Sequence, residues 1–479
     1  MPRLRRDRVK LRERTAVMLV TAALCGVCAG MAQQSLDMDS AQNPYLGSAV
    51  TAEPVAGTLN LTLQDAIARG LRTNLGLLLS GEDRRAANGG RRQALSRLLP
   101  QVNGGVSGLE QELDLQAMVG PKTLPPSIPA IPSPFHVFDA QLAVSAPLWN
   151  QSNLEASRAA SQELSAARFT YQEARDTVVL AVGNAYLMAI AGEAQVQSAT
   201  AERDTAQALY QLAKDRQTAG LSPQIDTLRA LVELKQHQEN LLAAQNAYAT
   251  EKLNLARAIG LADGQAFEPA THVPSQPLSA PVVEDAVARA YQHRGDYQAA
   301  MAEVTAAEAQ LRAARAQRYP SAGVNASWGD IGAGGLTDGH QTYLVAGSVN
   351  VPLFQGGRVR GEIQTAEARL HQAQSKLSNL REQIDYDVRT ALLNLDTNAD
   401  QVGVAQTNIK LAAQTLDQSR DRFASGVTNN VEVVQAQQAV AQADEDYIAS
   451  LYRYSISKLN LARAMGVAEH EGLSYLGEK

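Results

Sequence analysis

The sequence predicts a mainly α-helical fold with a small β part, in which long antiparallel helices adjoin four β-strands. Three observations predict this class. The chain contains one arrangement of segments twice, and each copy leads into a proline-free stretch much longer than an average helix, at residues 148–222 and 353–479. Beside the loops, shorter segments alternate apolar with more polar residues, which is typical of strands.

The first 32 residues are predicted to be a secretory signal peptide that is removed. Seven Lys or Arg residues within residues 1–14 precede an apolar run and the small-residue segment Ala29–Ala32. A membrane anchor is the alternative, but an uncharged run of about 18 residues lies at the short limit for spanning a bilayer. Lipidation of Cys25 or Cys28 is not favoured, because a large apolar residue precedes each of them.

Composition excludes several classes of protein. Cys25 and Cys28 are the only cysteines, so the chain beyond them has no disulfide, no Cys metal ligand and no Cys nucleophile. It carries 36 basic and 47 acidic residues after residue 32, and this acidic balance argues against a nucleic-acid partner. No later window reaches 18 consecutive apolar residues, so we expect no transmembrane helix, and any membrane-spanning part must consist of strands.

An internal repeat defines the organisation of the chain. The segment Leu253–Gly260 returns as Leu459–Gly466 with seven identities in eight residues. The first copy holds 15 extra residues around Pro121–Pro134, which we predict to be a loop. The predicted parts are an extended segment at 33–58, a first repeat at 59–268 with its strand pair at 101–148, a linker at 269–281, a second repeat at 282–468 with its strand pair at 321–353, and a tail at 469–479.

Each repeat is predicted to contain a first helix, a long helix and a helix that runs back from it. Thr62 caps a first helix that ends at Pro100, with Gly89–Gly90 as the expected position of any break. A helix of about 68 residues from Gln151 to Thr218 would span roughly 100 Å. Glycine-containing turns at 220–223 and 426–428 then lead into helices that run back to Gly260 and Gly466.

Four segments have the two-residue period of strands. They are Val102–Glu110, Phe138–Pro147, Ser321–Trp328 and Tyr343–Val351. Strands of about ten residues match the length that crosses a bilayer, which suggests an outer-membrane barrel. Four strands cannot close on themselves, since an open edge in lipid leaves backbone groups unpaired, so at least two chains must share one barrel.

The order of these elements resembles the TolC-like outer-membrane efflux proteins, from about Leu61 to Gly466. The resemblance rests on the duplicated helix, strand-pair and helix order, on Pro352–Gly357 before the second long helix, and on Arg422–Gly426 with Val431–Gln437. It implies that three chains form a 12-stranded barrel in outer-membrane lipid, continued by a periplasmic tunnel. It also implies a periplasmic adaptor protein and an inner-membrane transporter as partners.

The resemblance also indicates a candidate entrance. The family places two aspartates, three residues apart, just after the second glycine turn, and these positions are Glu432 and Gln435 here, with Asp226 equivalent in the first repeat. A ring of carboxylates in a narrow neck attracts cations. The alternative is an acid that only favours a helix N-terminus. The family often has an arginine near Thr428 that latches the closed state, and this chain lacks it.

Adaptor contacts are expected at the two glycine turns, because those turns reach farthest from the strands. The candidate residues are Gly220, Leu221, Ser222, Gly426, Val427 and Thr428.

No pattern in the sequence indicates an enzyme, a bound metal or a cofactor. Ser455–Lys458 matches S-x-x-K, but no K-T-G follows, and we interpret the match as chance. The histidines have no metal-binding spacing and are expected at the surface or in loops; they are His136, His237, His272, His293, His340, His371 and His470.

Three functional interpretations therefore stand beside one another. The first is an export duct across the outer membrane. The second is a periplasmic coiled-coil adaptor or structural scaffold without a pore, which explains the helices but not the four strands. The third is a hydrolase anchored in the envelope, which lacks any catalytic signature.

Overall fold

The two halves of the fold repeat the same succession of short helices, a strand pair and two long helices. The computed structural model describes residues 43–49, 54, 57–112, 134–270, 277–332, 339–428 and 430–477. The predicted signal peptide and nearly all of the proline-rich insert lie outside these residues.

The helices and strands follow the predicted order and confirm the mainly helical class. The first half contains β1 (Leu59–Leu61), α1 (Leu63–Thr73), α2 (Leu75–Ser96), β2 (Gln101–Gln111), β3 (Phe135–Trp149), α3 (Gln151–Thr218) and α4 (Gln224–Ile259). The second half contains β4 (Phe267–Pro269), α5 (Val283–His293), α6 (Gly295–Ala316), β5 (Ser321–Gly332), β6 (His340–Asn350), α7 (Arg358–Ala424), α8 (Asn430–Ala464) and a closing α9 (Ala468–Tyr475).

The two long helices are of nearly equal length. Helix α3 has 68 residues and the bounds that the sequence predicts, while α7 has 67. The Asn150 side chain starts α3 by accepting a hydrogen bond from the backbone N–H of Asn153 at 3.0 Å. Each helix therefore extends for about 100 Å, and each turns back into a shorter antiparallel helix to form a hairpin.

The first helical segment breaks at Asn74 and not at the predicted Gly89–Gly90. Asn74 is fully buried, and its side-chain oxygen accepts a hydrogen bond from the N–H of Gly76 at 3.0 Å while its amide donates to the Tyr45 carbonyl. Arg294, 220 residues later, interrupts α5 and α6 with nearly the same backbone angles. The helix therefore breaks where the Asn74 side chain caps α2 and also bonds to a distant part of the chain. Gly89 and Gly90 lie on an open helix surface, where the helix continues through them.

The four long strands form one antiparallel sheet in the order β2-β3-β5-β6. Its register aligns the apolar rows of the separate strands on one face. One row across the sheet is Gly104, Leu142, Trp328 and Tyr343, and the next is Val102, Val144, Ala326 and Val345. The opposite face carries mostly small polar residues, among them Asn103, Ser145, Asn325 and Ser348.

The main core lies near the middle of the long helices. Val178, Val182 and Tyr186 of α3 pack there with Ile384 and Val388 of α7, each at 0% exposure. The Tyr186 hydroxyl donates to the Leu61 carbonyl at 2.8 Å, which fixes the small parallel β1-β4 pair against this core. The two hairpins are thereby joined at the ends that lie away from their turns.

One window of α3 has the length and hydropathy of a membrane span, although the sequence predicts no transmembrane helix. This window is 18 residues long with a mean hydropathy of 1.4, and 44% of it is buried inside the protein. Val178, Val182, Tyr186 and Ile190 of α3 are buried in the main core. Packing between helices accounts for the apolar character of these side chains.

Candidate functional site

The two long helices end in turns of the same geometry, 206 residues apart. Gly220 has a φ of +72° and Gly426 a φ of +74°, a left-handed conformation that favours glycine. The Leu221 N–H donates to the Arg216 carbonyl at 2.8 Å, and the Val427 N–H donates to the Arg422 carbonyl at 2.9 Å. These bonds satisfy carbonyls that the helix ends leave free, and both turns are those predicted from the sequence.

The turn residues predicted as adaptor contacts include two exposed apolar side chains. Leu221 is 69% exposed and Val427 is 70% exposed, while Ser222 and Thr428 are partly buried. Each turn therefore presents one large apolar side chain to solvent.

Glu432 is held by neighbours within its own hairpin. It lies in the first turn of α8, where a negative charge is favoured by the helix N-terminus. Its Oε1 is 3.6 Å from Nε of Arg422, and Thr428 donates a hydrogen bond to its Oε2. The predicted entrance acid is therefore partly neutralised by an arginine at the end of α7.

Asp226 is in a different environment from its equivalent, Glu432. It lies in the first turn of α4 and is only 7% exposed, with Arg229 at 3.6 Å. Gln435 is exposed on α8 and lines a groove together with Arg229. Within one chain, then, Glu432 and Gln435 are accessible and Asp226 is not.

An apolar groove runs between the first turns of α4 and α8. Its volume is about 400 Å³, and its apolar lining comes from Ile225, Leu228, Val232, Val431 and Val434. Ile225 and Leu228 are about half exposed, and Val232 is 69% exposed. The groove widens the apolar surface beside the two turns.

Arg216 joins the two hairpins, and the sequence does not predict it as a site residue. Its Nη1 donates to the carbonyls of Phe423 and Ala424 at 3.1 and 3.0 Å, which caps the last turn of α7 from α3. Its guanidinium also lies over the Phe423 ring. The repeat contains a signal for this residue, because Arg216 and Arg422 occupy equivalent positions, but the sequence does not indicate which carbonyls either one reaches.

Phe423 anchors a small core near the turns. It is 2% exposed and packs with Leu209 of α3, Leu416 of α7 and Val433 and Ala436 of α8. Arg216 therefore covers a buried cluster that both hairpins build.

The histidine prediction is wrong for His237, which is 3% exposed on α4. Five others are exposed as expected, namely His136, His293, His340, His371 and His470, and His272 lies outside the described residues. Among the described residues, no group of His, Cys, Asp and Glu has a metal-binding arrangement.

The S-x-x-K residues are inaccessible. Ser455 and Lys458 are both 0% exposed within α8, and the Lys458 ammonium lies over the Tyr454 ring at 4.4 Å. Burial lowers the pKa of Lys458 to about 8. A substrate could not reach this pair without unfolding of the helix around it.

Comparisons with known proteins all match outer membrane efflux proteins. A family model described as "Outer membrane efflux protein" matches residues 74–261 and 286–467. The toluene efflux pump outer membrane protein TtgF of Pseudomonas putida is 28% identical over 422 residues, which cover 84% of this chain and 83% of that protein.

Solved structures share the fold. The outer membrane protein VceC of Vibrio cholerae has a TM-score of 0.72 at 21% identity, over 84% of this chain and 96% of that one. The CmeC outer membrane channel of Campylobacter jejuni has a TM-score of 0.74 at 17% identity, over 90% of this chain and 94% of that one.

Proposed function

The chain belongs to the outer membrane efflux protein family, and we propose that three copies of it form one outer-membrane barrel continued by a periplasmic helical tunnel. The observation that carries this proposal is the four-stranded sheet with one apolar face, placed at the start of helices about 100 Å long. The apolar face suits lipid and the small polar face suits a water-filled lumen.

The edges of the sheet support a ring of identical chains. Each of the three pairings in the sheet is antiparallel, so the edge strands β2 and β6 run in opposite directions. The β6 strand of one copy can therefore pair antiparallel with β2 of the next, and rotation by a third of a turn closes the ring. Three copies give twelve strands, and closure satisfies the backbone groups that an open edge would leave unpaired in lipid.

The protein acts as an outer-membrane export duct, the outer component of a tripartite efflux or type I secretion system. In this arrangement the sheet lies in the outer membrane and the hairpin turns lie deepest in the periplasm. The exposed Leu221 and Val427 are the proposed contacts for a periplasmic adaptor. The adaptor in turn connects the duct to an inner-membrane transporter.

Glu432 and Gln435 are proposed to face the lumen near the turns, with Asp226 behind them. Three copies of Glu432 would place a ring of carboxylates at the entrance, where they attract cations. The pairing of Glu432 with Arg422 moderates this charge. The entrance is thus proposed to be weakly cation-attracting.

A chemical role is not proposed. The family is one of transport channels, and the S-x-x-K residues are buried. A scaffold without a pore would have no use for a sheet with an apolar face, so the family membership and the sheet both favour the duct.

Electron microscopy of the mature chain in mild detergent tests the assembly. Hollow particles with threefold symmetry and a length above about 100 Å are the expected result. Insertion into planar lipid bilayers should then give discrete conductance steps. Monomeric rods without a central hole, together with no conductance, would contradict the proposed duct.

A further inference from the structure

His237 is buried between carboxylates that belong to two helices. Its Nδ1 lies 3.3 Å from Oε2 of Glu202 on α3, and its Nε2 lies 3.6 Å from Oε1 of Glu233, one turn earlier on α4. The two glutamate side chains are only 10% and 12% exposed. The imidazole therefore has an acid facing each of its nitrogens in a site with little water.

Only the protonated ring suits both neighbours. A neutral imidazole has one N–H and one bare nitrogen, so one of the two carboxylates would face a lone pair. An imidazolium donates from both nitrogens. Neither buried nitrogen makes a hydrogen bond in this arrangement. On protonation, a small shift of α3 against α4 would complete a charge-assisted bond to Glu202, and a reorientation of the Glu233 side chain would complete one within α4.

The second hairpin contributes to the same site through α8. Gln438 donates to Oε1 of Glu233 at 3.2 Å. The Ser198 hydroxyl lies 3.1 Å from Oε1 of Glu202 and 3.2 Å from Oδ2 of Asp444. Burial and the Glu202 charge raise the pKa of the Asp444 carboxyl. Glutamates of α3 and α4 therefore face His237 directly, and Asp444 of α8 adjoins this site through Ser198.

Other cations near the site have different partners. Arg203, next to Glu202 in sequence, pairs with Asp204 at 2.7 Å. In the part of the chain that the structure describes, no lysine or arginine forms an ion pair with Glu202, Glu233 or Asp444. His237 is accordingly the basic side chain that faces Glu202 and Glu233.

We propose that His237 is a proton-binding clamp that fastens α3 to α4, and through Glu233 and Gln438 to α8, when the surroundings become acidic. This inference rests on the proposed function, because it places the clamp in the tunnel wall. His237 is 13 residues beyond the start of α4, about 20 Å from the turn. Protonation thus restrains the two helices of the first hairpin against each other, and the Gln438 bond to Glu233 ties this hairpin to the second, so that opening of the entrance is opposed.

Thermal unfolding at several pH values tests the clamp without any transport assay. A histidine side chain changes charge near neutral pH. The melting temperature of the trimer is therefore measured at about pH 5.5 and at about pH 8, in the wild type and in His237→Gln. The increase on acidification should be several degrees larger in the wild type than in the variant. Exposed His371 provides the control variant His371→Gln, which should retain the wild-type dependence. Equal pH dependence in wild type and His237→Gln overturns the proposal.

Removal of either acid gives an independent check. Glu202→Gln and Glu233→Gln keep the side-chain shape and should each reduce the extra acid stability. Combining either one with His237→Gln should add little, because the paired groups act together. Full additivity of the effects overturns the clamp.

Conductance separates failure of the clamp from failure of the duct. Acidification on the side of the helical tips should lower the open probability of the wild type at least severalfold more than that of His237→Gln. Channels with the same pH response in both overturn the clamp and leave the duct intact. Complete absence of channels in all variants overturns the duct, and the unfolding measurements still decide whether His237 binds a proton between its two glutamates.

Discussion

The guanidinium carbon of Arg216 lies 5.0 Å from the centre of the Phe423 ring, across the boundary between the two hairpins. The same side chain donates to the Phe423 and Ala424 carbonyls. This chain lacks the arginine that the resembled family often has near Thr428, and Arg216 of α3 makes its own contact with the second hairpin at the end of α7.

Arg216→Ala is expected to loosen the periplasmic entrance. The substitution removes two hydrogen bonds and a cation–π contact, together worth about 1–3 kcal/mol. Bilayer recordings should show a higher open probability than in the wild type. The neighbouring exposed Lys214 supplies the control Lys214→Ala, which should behave as wild type. Unchanged opening of Arg216→Ala would show that the contact does not restrain the hairpins.

Two substitutions at the entrance should change ion selectivity in opposite directions. Glu432→Gln removes the proposed ring of charge, so the ratio of cation to anion permeability should fall. Arg422→Gln leaves Glu432 without the cation 3.6 Å away, so the ratio should rise. Reversal potentials in a salt gradient measure both. If neither variant shifts the reversal potential, Glu432 is a helix N-terminal acid and not part of the entrance.

Two glycines in adjacent strands provide a matched test of the sheet. A Cβ at Gly329 would lie 2.1 Å from the Ala140 carbonyl oxygen and 2.6 Å from Cα of Gln141, so Gly329→Ala should push β5 away from β3. Gly347 in β6 has no atom within 4 Å of such a Cβ, so Gly347→Ala should assemble normally. The yield of detergent-resistant trimer compares the two, and equal yields would contradict the β3-β5 register.

Lys458→Met should remove a pH dependence of stability at alkaline pH. Burial lowers the lysine pKa to about 8 in the folded chain, whereas an unfolded lysine titrates near 10.5. The unfolded state thus binds the proton more tightly, and wild-type stability should rise by on the order of 3 kcal/mol as pH increases through this interval.

Denaturant unfolding between these pH values should show that rise in the wild type and not in Lys458→Met. Exposed Lys410 gives the control Lys410→Met, which should retain the rise. A rise of the same size in Lys458→Met would assign it to other groups.

The elements that local pattern specifies could be predicted from the sequence. The positions of the prolines and the period of the apolar residues predict the bounds of α3, and the two-residue alternation predicts the four strands. The break at Asn74 does not follow from local pattern alone, because its cap depends on Tyr45 as well as on its own helix, although Asn before a Leu-Gly-Leu run is a capping signal.

The cross-helix contacts could not be predicted in this way. Which carbonyls Arg216 reaches depends on how α3 lies against α7, and periodicity does not specify that. The burial of His237 likewise follows from the packing of α4 on α3, since its sequence neighbours are mostly polar. Both residues belong to contacts between helices, where a single sequence shows only which faces are apolar.

The matched lengths of α3 and α7 restrict how this chain can change in evolution. Their lengths differ by one residue, so the two rods end within about 1.5 Å of the same level if they start together. A seven-residue insertion in one of these helices alone would extend it by about 10 Å. The two turns would then lie at different heights, and an adaptor could not contact both of them in the same way. Viable insertions and deletions are therefore expected in both repeats at once, so that relatives differ in tunnel length by paired steps.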